Sequence, residues 1–253
     1  MIPSIVIINA DDFGLNTQRN LAITKCFQKG LINSTSIMPN MPAFKEAILL
    51  AKSNHFGSNI GLHVCLTEGK PITDLSKTSL VNKEGFFIKK NIYNPRVFLS
   101  RSNRGNIENE INAQLEELYI NKLLPTHINS HHTIHELPWL LPIFLTIAKK
   151  HNIKVRVSQT WVNGYNPLKL LYRKIVNMVY KYYRISFTDS FEVLEIYKTK
   201  LKKGNQNKLT EIMVHPDLNE KGEIIDSIDS IDLEKSILNL LNAYLHGKLI
   251  SLK

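Results

Sequence analysis

Short apolar runs rich in β-branched residues alternate with segments of helical period from one end of the chain to the other. That alternation constrains the fold more than any other feature, because strand–helix–strand units build a parallel sheet with its helices outside it. The expected strands are Ser4–Ile8, Ser34–Met38, Asn59–Leu66, Thr126–Ser130, Ile153–Val157, Glu211–Val214 and Lys248–Leu252. Helical spacing covers Thr17–Gln28, Pro42–Ser53, Ile107–Leu118, Trp139–Lys150, Leu168–Tyr183 and Leu233–Tyr244. Residues 67–105 form a polar excursion punctuated by Gly and Pro, too long for a plain connection, and read as a lid over a site. There is no repeat, low-complexity tract or linker, so residues 1–253 are expected to form one domain. The expected fold class is α/β, a single-domain distorted (β/α) barrel of roughly seven parallel strands. No Gly-x-Gly-x-x-Gly follows the first strand, which disfavours a dinucleotide-binding sheet.

Composition excludes several classes. With 43% hydrophobic and 21% charged residues the chain has the balance of an ordinary globular protein, and no run reaches the ~20 apolar residues of a membrane span. No signal peptide is read at Met1-Ile2-Pro3, so a cytoplasmic location is expected. Cys26 and Cys65 are then free buried thiols, and the Asn33-Ser34-Thr35 sequon has no role. The net charge of +10 is scattered through Lys89-Lys90, Arg101–Arg104 and 198–208 without aromatic interleaving, which argues against nucleic acid as a partner.

The chemistry-bearing residues fall where strands should end. The first run leads into Asp11-Asp12-Phe13-Gly14, two adjacent carboxylates that repel unless a metal, a shared proton or an arginine reconciles them. The third strand carries His63, the fourth leads through Asn129 to His131 and His132, the fifth carries Arg156, and the strand at 211–214 runs into His215-Pro216. In a (β/α) barrel these ends converge on one face. Two imidazoles and one carboxylate make a facial ligand set that leaves positions open for water and substrate. Such a set suits hydrolysis assisted by a divalent ion, with one aspartate as ligand and the other as base. Arg156 orients that base, stabilises an oxyanion or forms an ion pair across the rim, and His215 is placed to protonate a leaving group. Asp12-Phe13-Gly14 alone also fits a kinase, but no Gly-rich loop or His-Arg-Asp accompanies it.

Asn9-Ala10-Asp11-Asp12-Phe13-Gly14, Gly61-Leu62-His63 with Leu66-Thr67-Glu68-Gly69-Lys70-Pro71, Thr126-His127-x-Asn129-Ser130-His131 and Val214-His215-Pro216 together resemble the YdjC/ChbG family of carbohydrate deacetylases. Ser34-Thr35-Ser36, Leu80 to Phe86 and Ala113-Gln114 extend the resemblance over nearly the whole chain. It implies a distorted barrel, one divalent metal ion, Mg²⁺ or Zn²⁺, and hydrolysis of an acetamide on an N-acetylglucosamine-type sugar. It implies Asp12, His63 and His131 as metal ligands and Asp11 as base, and His215 matches its far-rim motif histidine. Arg156 and His215 are expected as further catalytic residues, Asn129 and Thr35 as substrate contacts, and His135 either as a support behind the ligands or as a substrate contact. Mg²⁺ is the family assignment, while two imidazoles suit Zn²⁺ better.

The sequence departs from the family pattern at three places: Asn129 stands for an Asp, Thr133 for a His and Gln159 for an Arg. Leu168–Arg184 is basic and Tyr-rich with an apolar face, which suits an anionic membrane surface and a lipid-linked amino sugar. The plainer expectation for it is an ordinary barrel helix or a homodimer face. Two other classes stay open: a non-catalytic sugar-binding or membrane-surface protein, and a phosphoesterase on the same barrel. The last is disfavoured because ligands for only one metal are visible.

Overall fold

The structure, a computed structural model, describes residues 6–160, 166–202 and 208–244. In chain order its regular elements are β1 (Val6–Phe13), α1 (Thr17–Gln28), β2 (Ser34–Ile37), α2 (Phe44–Ser53), β3 (Ile60–Val64), α3 (Lys89–Ile92), α4 (Arg101–Ile120), β4 (His127–Ser130), α5 (Leu141–His151), β5 (Lys154–Val155), α6 (Pro167–Tyr182), β6 (Ser190–Val193), α7 (Leu194–Lys202), β7 (Thr210–Val214), β8 (Pro216–Leu218), β9 (Ile224–Asp226) and α8 (Leu233–Tyr244). Seven strands form one sheet in the order β5-β4-β3-β2-β1-β7-β6, parallel at every pairing; β8 and β9 form a separate antiparallel hairpin.

Why the sheet curls is visible at its two edges. Beyond β5, Val155 bridges Ser186, with Val155 N–H on the Ile185 carbonyl (2.6 Å) and Phe187 N–H on the Val155 carbonyl (2.8 Å). Four residues later Ser190 pairs with Thr210 on β7 at the opposite edge. Four residues of extended chain reach at most about 14 Å, so the edges are drawn towards each other and the sheet becomes a distorted half-barrel.

The strand count matches the expectation but the set differs. β6 was not anticipated, because Ser190-Phe191-Glu192-Val193 is half polar and follows Thr-Asp, which reads as loop; the α7 segment and the β8/β9 hairpin were missed with it. The expected strand at Lys248–Leu252 lies outside the described residues. β1 runs on through both acids to Phe13 rather than ending before them. The excursion is shorter than 67–105, since α4 begins at Arg101, and it is packed down: Leu75, Leu80, Val81, Phe87 and Ile92 are buried. Two polar side chains of α4 pin it. Glu110 accepts from Ile72 N–H (3.0 Å), Thr73 N–H (2.8 Å) and Thr73 Oγ1 (2.7 Å), and the Gln114 amide clamps both backbone groups of Cys65.

The strands are buried on both faces, but the faces differ. Ile8, Ala10, Leu62, Val64 and Ile128 join the apolar cluster under the helices. Asn9, Asp11, Ser34, Ser36, His63 and Asn129 alternate with them and hydrogen-bond to one another inside the curl. Thus the interior is polar and the oil lies between sheet and helices. Helix ends follow local rules. Asn16 caps α1 through Arg19 N–H, and Gly30 at φ +66° closes it, with Leu31 N–H on Cys26 O and Gly30 N–H on Phe27 O, as a Schellman turn requires.

α6 has two apolar faces, only one of them covered. Its inner face buries Arg173, Val176 and Tyr180, but Leu168, Leu171, Ile175, Met178 and Tyr182 stand exposed along the outside.

Candidate active site

The adjacent aspartates reach one cleft because β1 bulges between them. Ala10 is opposite Thr35 and Phe13 opposite Ile37, so three steps on β1 face two on β2. Asp12 absorbs the extra residue at φ +69°, a left-handed conformation costing roughly 1–2 kcal/mol for an L-residue. Strict alternation would send Asp12 to the helix side; the bulge turns it in beside Asp11.

Asp12 Oδ1 lies 2.9 Å from His131 Nδ1 and 3.1 Å from His63 Nε2. One ligand atom from each of Asp12, His63 and His131 falls within 4.8 Å of the others. His63 Nε2 approaches the carboxylate without hydrogen-bond alignment, and it and His131 Nε2 are buried without a hydrogen bond, although Glu68 Oε1 lies 3.4 Å from the latter. Buried imidazole nitrogens left unpaired beside a carboxylate fit a cation, whose binding would satisfy them. Burial alone would raise the Asp12 pKa, but the two histidines override it and hold the carboxyl well below the usual range.

Asp11 is held differently. Arg156 Nη1 donates to Oδ2 and Nη2 to Oδ1, both at 2.6 Å, and Asn9 and Ser36 add hydrogen bonds to Oδ1. Burial opposes ionisation there too, but the Arg156 guanidinium outweighs it and keeps the carboxyl far below the ordinary range. The same guanidinium serves Glu211 Oε1 through Nε (2.9 Å) and Nη2 (2.7 Å). Burial wins at Glu211 and raises its pKa.

Asn129 lies between competing demands. One end of its amide is 2.7 Å from His63 Nδ1 and the other 2.7 Å from Arg156 Nη2. A guanidinium only donates, so the oxygen faces Arg156 and the NH₂ faces His63.

The cleft over these groups holds about 470 Å³, within the range of small-ligand sites. Asp11, Asp12, His63, His131 and His215 line it, with Glu68, Tyr93, His132, Thr133 and Arg19 as further walls. A larger groove of about 880 Å³ between α1, α8 and the β8/β9 turn contains no such grouping, and its Lys29 and Glu234 pair at 2.6 Å. His215 is fixed by its backbone: its N–H donates to Asp226 Oδ2 (2.8 Å) and its carbonyl accepts from Ser227 N–H. Burial lowers its ring pKa, against the pull of Asp11, Asp12 and Asp226.

Four expectations change. Arg156 is fully buried behind Asp11, its donors committed to Asp11 and Glu211, so an oxyanion contact is out of its reach. His135 is fully buried with Nδ1 2.6 Å from Ser130 Oγ and its ring against Phe144, and is not a substrate contact. Thr35 is fully buried and its hydroxyl donates to the Ala10 carbonyl (2.7 Å), while Ser34 and Ser36 take the interior. Asn129 is likewise enclosed beneath the cleft and touches His63 and Arg156 rather than open space.

Other residues lining the cleft had no role assigned from the sequence, although His132 was read with the rim residues. His132 and Thr133 follow His131 at φ +56° and +53°, a kink that swings His132 towards the excursion. His132 Nε2 is 2.9 Å from Lys89 Nζ, Nδ1 2.9 Å from Thr67 Oγ1, and its carbonyl accepts from Tyr93 OH at 2.9 Å. Its adjacency to His131 was the only available signal. Arg19, bonded to the Pro216 carbonyl and Ser227 Oγ, had none.

The model of YdjC-like proteins matches residues 5–242. The chain belongs to the YdjC-like family. A carbohydrate deacetylase of Geobacillus stearothermophilus is 39% identical over 63% of this chain, a match spanning 62% of that relative. A carbohydrate deacetylase of Clostridium beijerinckii is 31% identical over 83% of this chain and 80% of its own length. Among solved structures, one named as a cellobiose-phosphate cleavage protein of Enterococcus faecalis V583 superposes with a TM-score of 0.76 at 24% identity, over 98% of this chain and 97% of that one. That likeness establishes the α/β fold. Among the described residues no helix is long and apolar enough to cross a membrane.

Proposed function

We propose that this YdjC-like chain is a metal-dependent carbohydrate N-deacetylase, a hydrolase that removes the acetyl group from an N-acetylglucosamine-type sugar and releases acetate. The observation that carries the reading is the pairing, in one cleft, of three convergent ligand residues with an arginine-clamped carboxylate next to them. The relatives named carbohydrate deacetylases support the substrate class. In this reading the chain acts in the cytoplasm as one domain over residues 1–253, with the excursion from 67 to the start of α4 bordering the cleft.

Asp12, His63 and His131 would hold one divalent ion, Mg²⁺ or Zn²⁺. When bound, such an ion supplies Lewis acidity towards a carbonyl oxygen and towards water. Asp11, kept ionised by Arg156, is the general base; its two oxygens are aimed by the bidentate guanidinium and it takes the proton of the attacking water. Arg156 is a positioning residue. His215, on the opposite wall, hands a proton to the departing amine once it is protonated; burial disfavours that imidazolium, and the carboxylates of Asp11, Asp12 and Asp226 favour it. Tyr93, Glu68 and His132 wall the side on which the sugar enters.

The deciding experiment is acetate release from N,N′-diacetylchitobiose and longer chito-oligosaccharides, after EDTA and again with Mg²⁺ or Zn²⁺ restored, with Asp12→Asn as control. Metal-dependent release lost in the variant supports the reading. Sugar binding without release would mean a non-catalytic member of the family. A second substrate reading, the same reaction on a lipid-linked amino sugar, is favoured by one observation, the exposed apolar stripe of α6.

A further inference from the structure

The outer face of α6 is apolar where a surface helix should be polar. Leu168, Leu171, Ile175, Met178 and Tyr182 are 74, 55, 45, 59 and 81% exposed. Their spacing of three, four, three and four residues sets them in one line, directly opposite the buried Arg173, Val176 and Tyr180. Fourteen residue steps at 1.5 Å make that line about 21 Å long. Singly exposed leucines are ordinary, but a continuous stripe on one helix marks a contact surface.

The charges around the stripe say what kind. No acidic residue occurs between Pro167 and Tyr183, whereas Lys169, Arg173, Lys174 and Lys181 do. Lys174 and Lys181 are exposed along one flank. At the C-terminal end Tyr182 and Tyr183 stand edge to face at 5.1 Å, and Lys149 lies 4.3 Å over the Tyr183 ring. Lys150 and Arg184 are exposed beside them. A shallow groove of about 370 Å³, bounded by Pro142, Leu145, Thr146, Lys149 and Tyr183, continues the apolar surface onto α5. Asp189, 4.0 Å from Lys181 Nζ, is an acid at this flank, an exposed pair that salt and anionic lipid readily displace. Apolar side chains in a line, tyrosines at one end and a flank of mainly cations are what an interfacial helix presents to a bilayer: the stripe enters the acyl boundary, the tyrosines lie at its edge towards the headgroups and the lysines meet anionic lipid.

We propose that α6 docks the protein on the surface of an anionic bilayer, lying flat with Leu168, Leu171, Ile175, Met178 and Tyr182 in the lipid. A second copy fits less well. Two such helices packed antiparallel through the stripe set lysine against lysine at the flanks, at positions 174 and 181, with no acid in either helix to answer them. Docking would also orient the cleft. The inner face of α6 is tied to the segment after His131: Tyr172 OH donates to Glu136 O (2.7 Å), Arg173 Nε to Glu136 Oε2 (2.8 Å) and Tyr180 OH to His135 O (3.3 Å). The inference stands apart from the deacetylase reading, because binding to a vesicle needs no substrate.

The test is co-sedimentation of the full chain with vesicles of equimolar phosphatidylcholine and phosphatidylglycerol, with pure phosphatidylcholine as control, at low and high salt. The variant is Leu171→Gln/Ile175→Gln/Met178→Gln, three exposed positions whose replacement leaves the core intact; its melting temperature and far-UV circular dichroism should match the wild type. The wild type is expected to partition onto the anionic vesicles only, to be released by salt, and to lose partitioning by about tenfold or more in the triple variant. Lys174→Gln/Lys181→Gln should weaken binding while leaving the fold unchanged. No partitioning by the wild type, or equal partitioning by the triple variant, overturns the proposal. So does a wild-type dimer in sedimentation velocity that the triple variant converts to monomer, which would assign the stripe to a second copy.

Discussion

Arg156 and Asp11, 145 residues apart in sequence, meet through two parallel hydrogen bonds of 2.6 Å inside the curled sheet, and neither side chain is open to solvent. The pair joins β1 to the chain just beyond the β5 edge, across the barrel interior. It also decides which aspartate does what: Asp11 is committed to the arginine, and Asp12 is left to the histidines.

Arg156→Ala leaves Asp11 and Glu211 buried with no counter-charge, and should destabilise the protein by about 3–5 kcal/mol. Arg156→Lys keeps a charge, but a single ammonium cannot serve both oxygens of Asp11 and also Glu211. It should fold, bind metal and lose most of its kcat. Urea titration and steady-state kinetics on the two variants separate these effects.

Asp12→Asn should lower metal occupancy, and Asp11→Asn should leave occupancy unchanged while removing turnover. Metal content after dialysis, measured beside acetate release, reads both. Equal metal loss in the two variants would refute this division of labour.

Asn129 has one oxygen for two donors, Arg156 Nη2 and the Nδ1–H that His63 needs if Nε2 is to ligate. An aspartate can accept from both. Asn129→Asp is therefore expected to tighten Zn²⁺ binding by roughly tenfold, as supporting partners of ligating histidines do. Calorimetric titration with Zn²⁺ checks this without any substrate, and an unchanged Kd would assign the acceptor role to Ser36 Oγ, 3.1 Å from His63 Nδ1.

Acid should destabilise the fold before the carboxylates titrate. Burial lowers the pKa of His127 and of His135 to about 3, against 6.5 for a free imidazole. Between those values the unfolded chain binds protons that the folded one refuses, so stability falls as pH falls, and above the upper value the effect vanishes. Each histidine contributes a slope of about 1.4 kcal/mol per pH unit within the window. Urea midpoints should drop from about pH 7 to about pH 5, and His127→Gln should flatten the slope.

Gly61→Ala should cost stability out of proportion to one methyl. A Cβ there would fall 2.3 Å from His127 Cε1, and the ring is stacked on Phe187 at 4.1 Å, so it has nowhere to retreat. Overpacking of this kind costs about 1–3 kcal/mol, readable as a fall in melting temperature.

The fold class and the positions of the chemistry were legible in the chain because periodicity and strand ends are local properties. Runs such as Val6–Ile8 and Ile60–Val64 must be buried on two faces, which only a helix-covered parallel sheet provides, and the residues that follow them then share one rim. What periodicity cannot carry is the pairing of distant residues and small departures from regular geometry. The left-handed bulge that turns Asp12 inward, the single arginine divided between Asp11 and Glu211, the enclosure of His135 and Thr35, and the kink that brings His132 to Lys89 and Tyr93 depend on how the sheet curls. β6 was hidden because its half-polar residues gain strand character only from pairing with β7. The apolar stripe of α6 was visible as composition, but whether it faced core or surface was decided by which side of the helix the sheet took. By itself the sequence determined most of the elements, their alternation and the residues available for chemistry. The tertiary structure alone decided which of those residues meet, because closing a curled sheet sets distances between positions that share no local pattern.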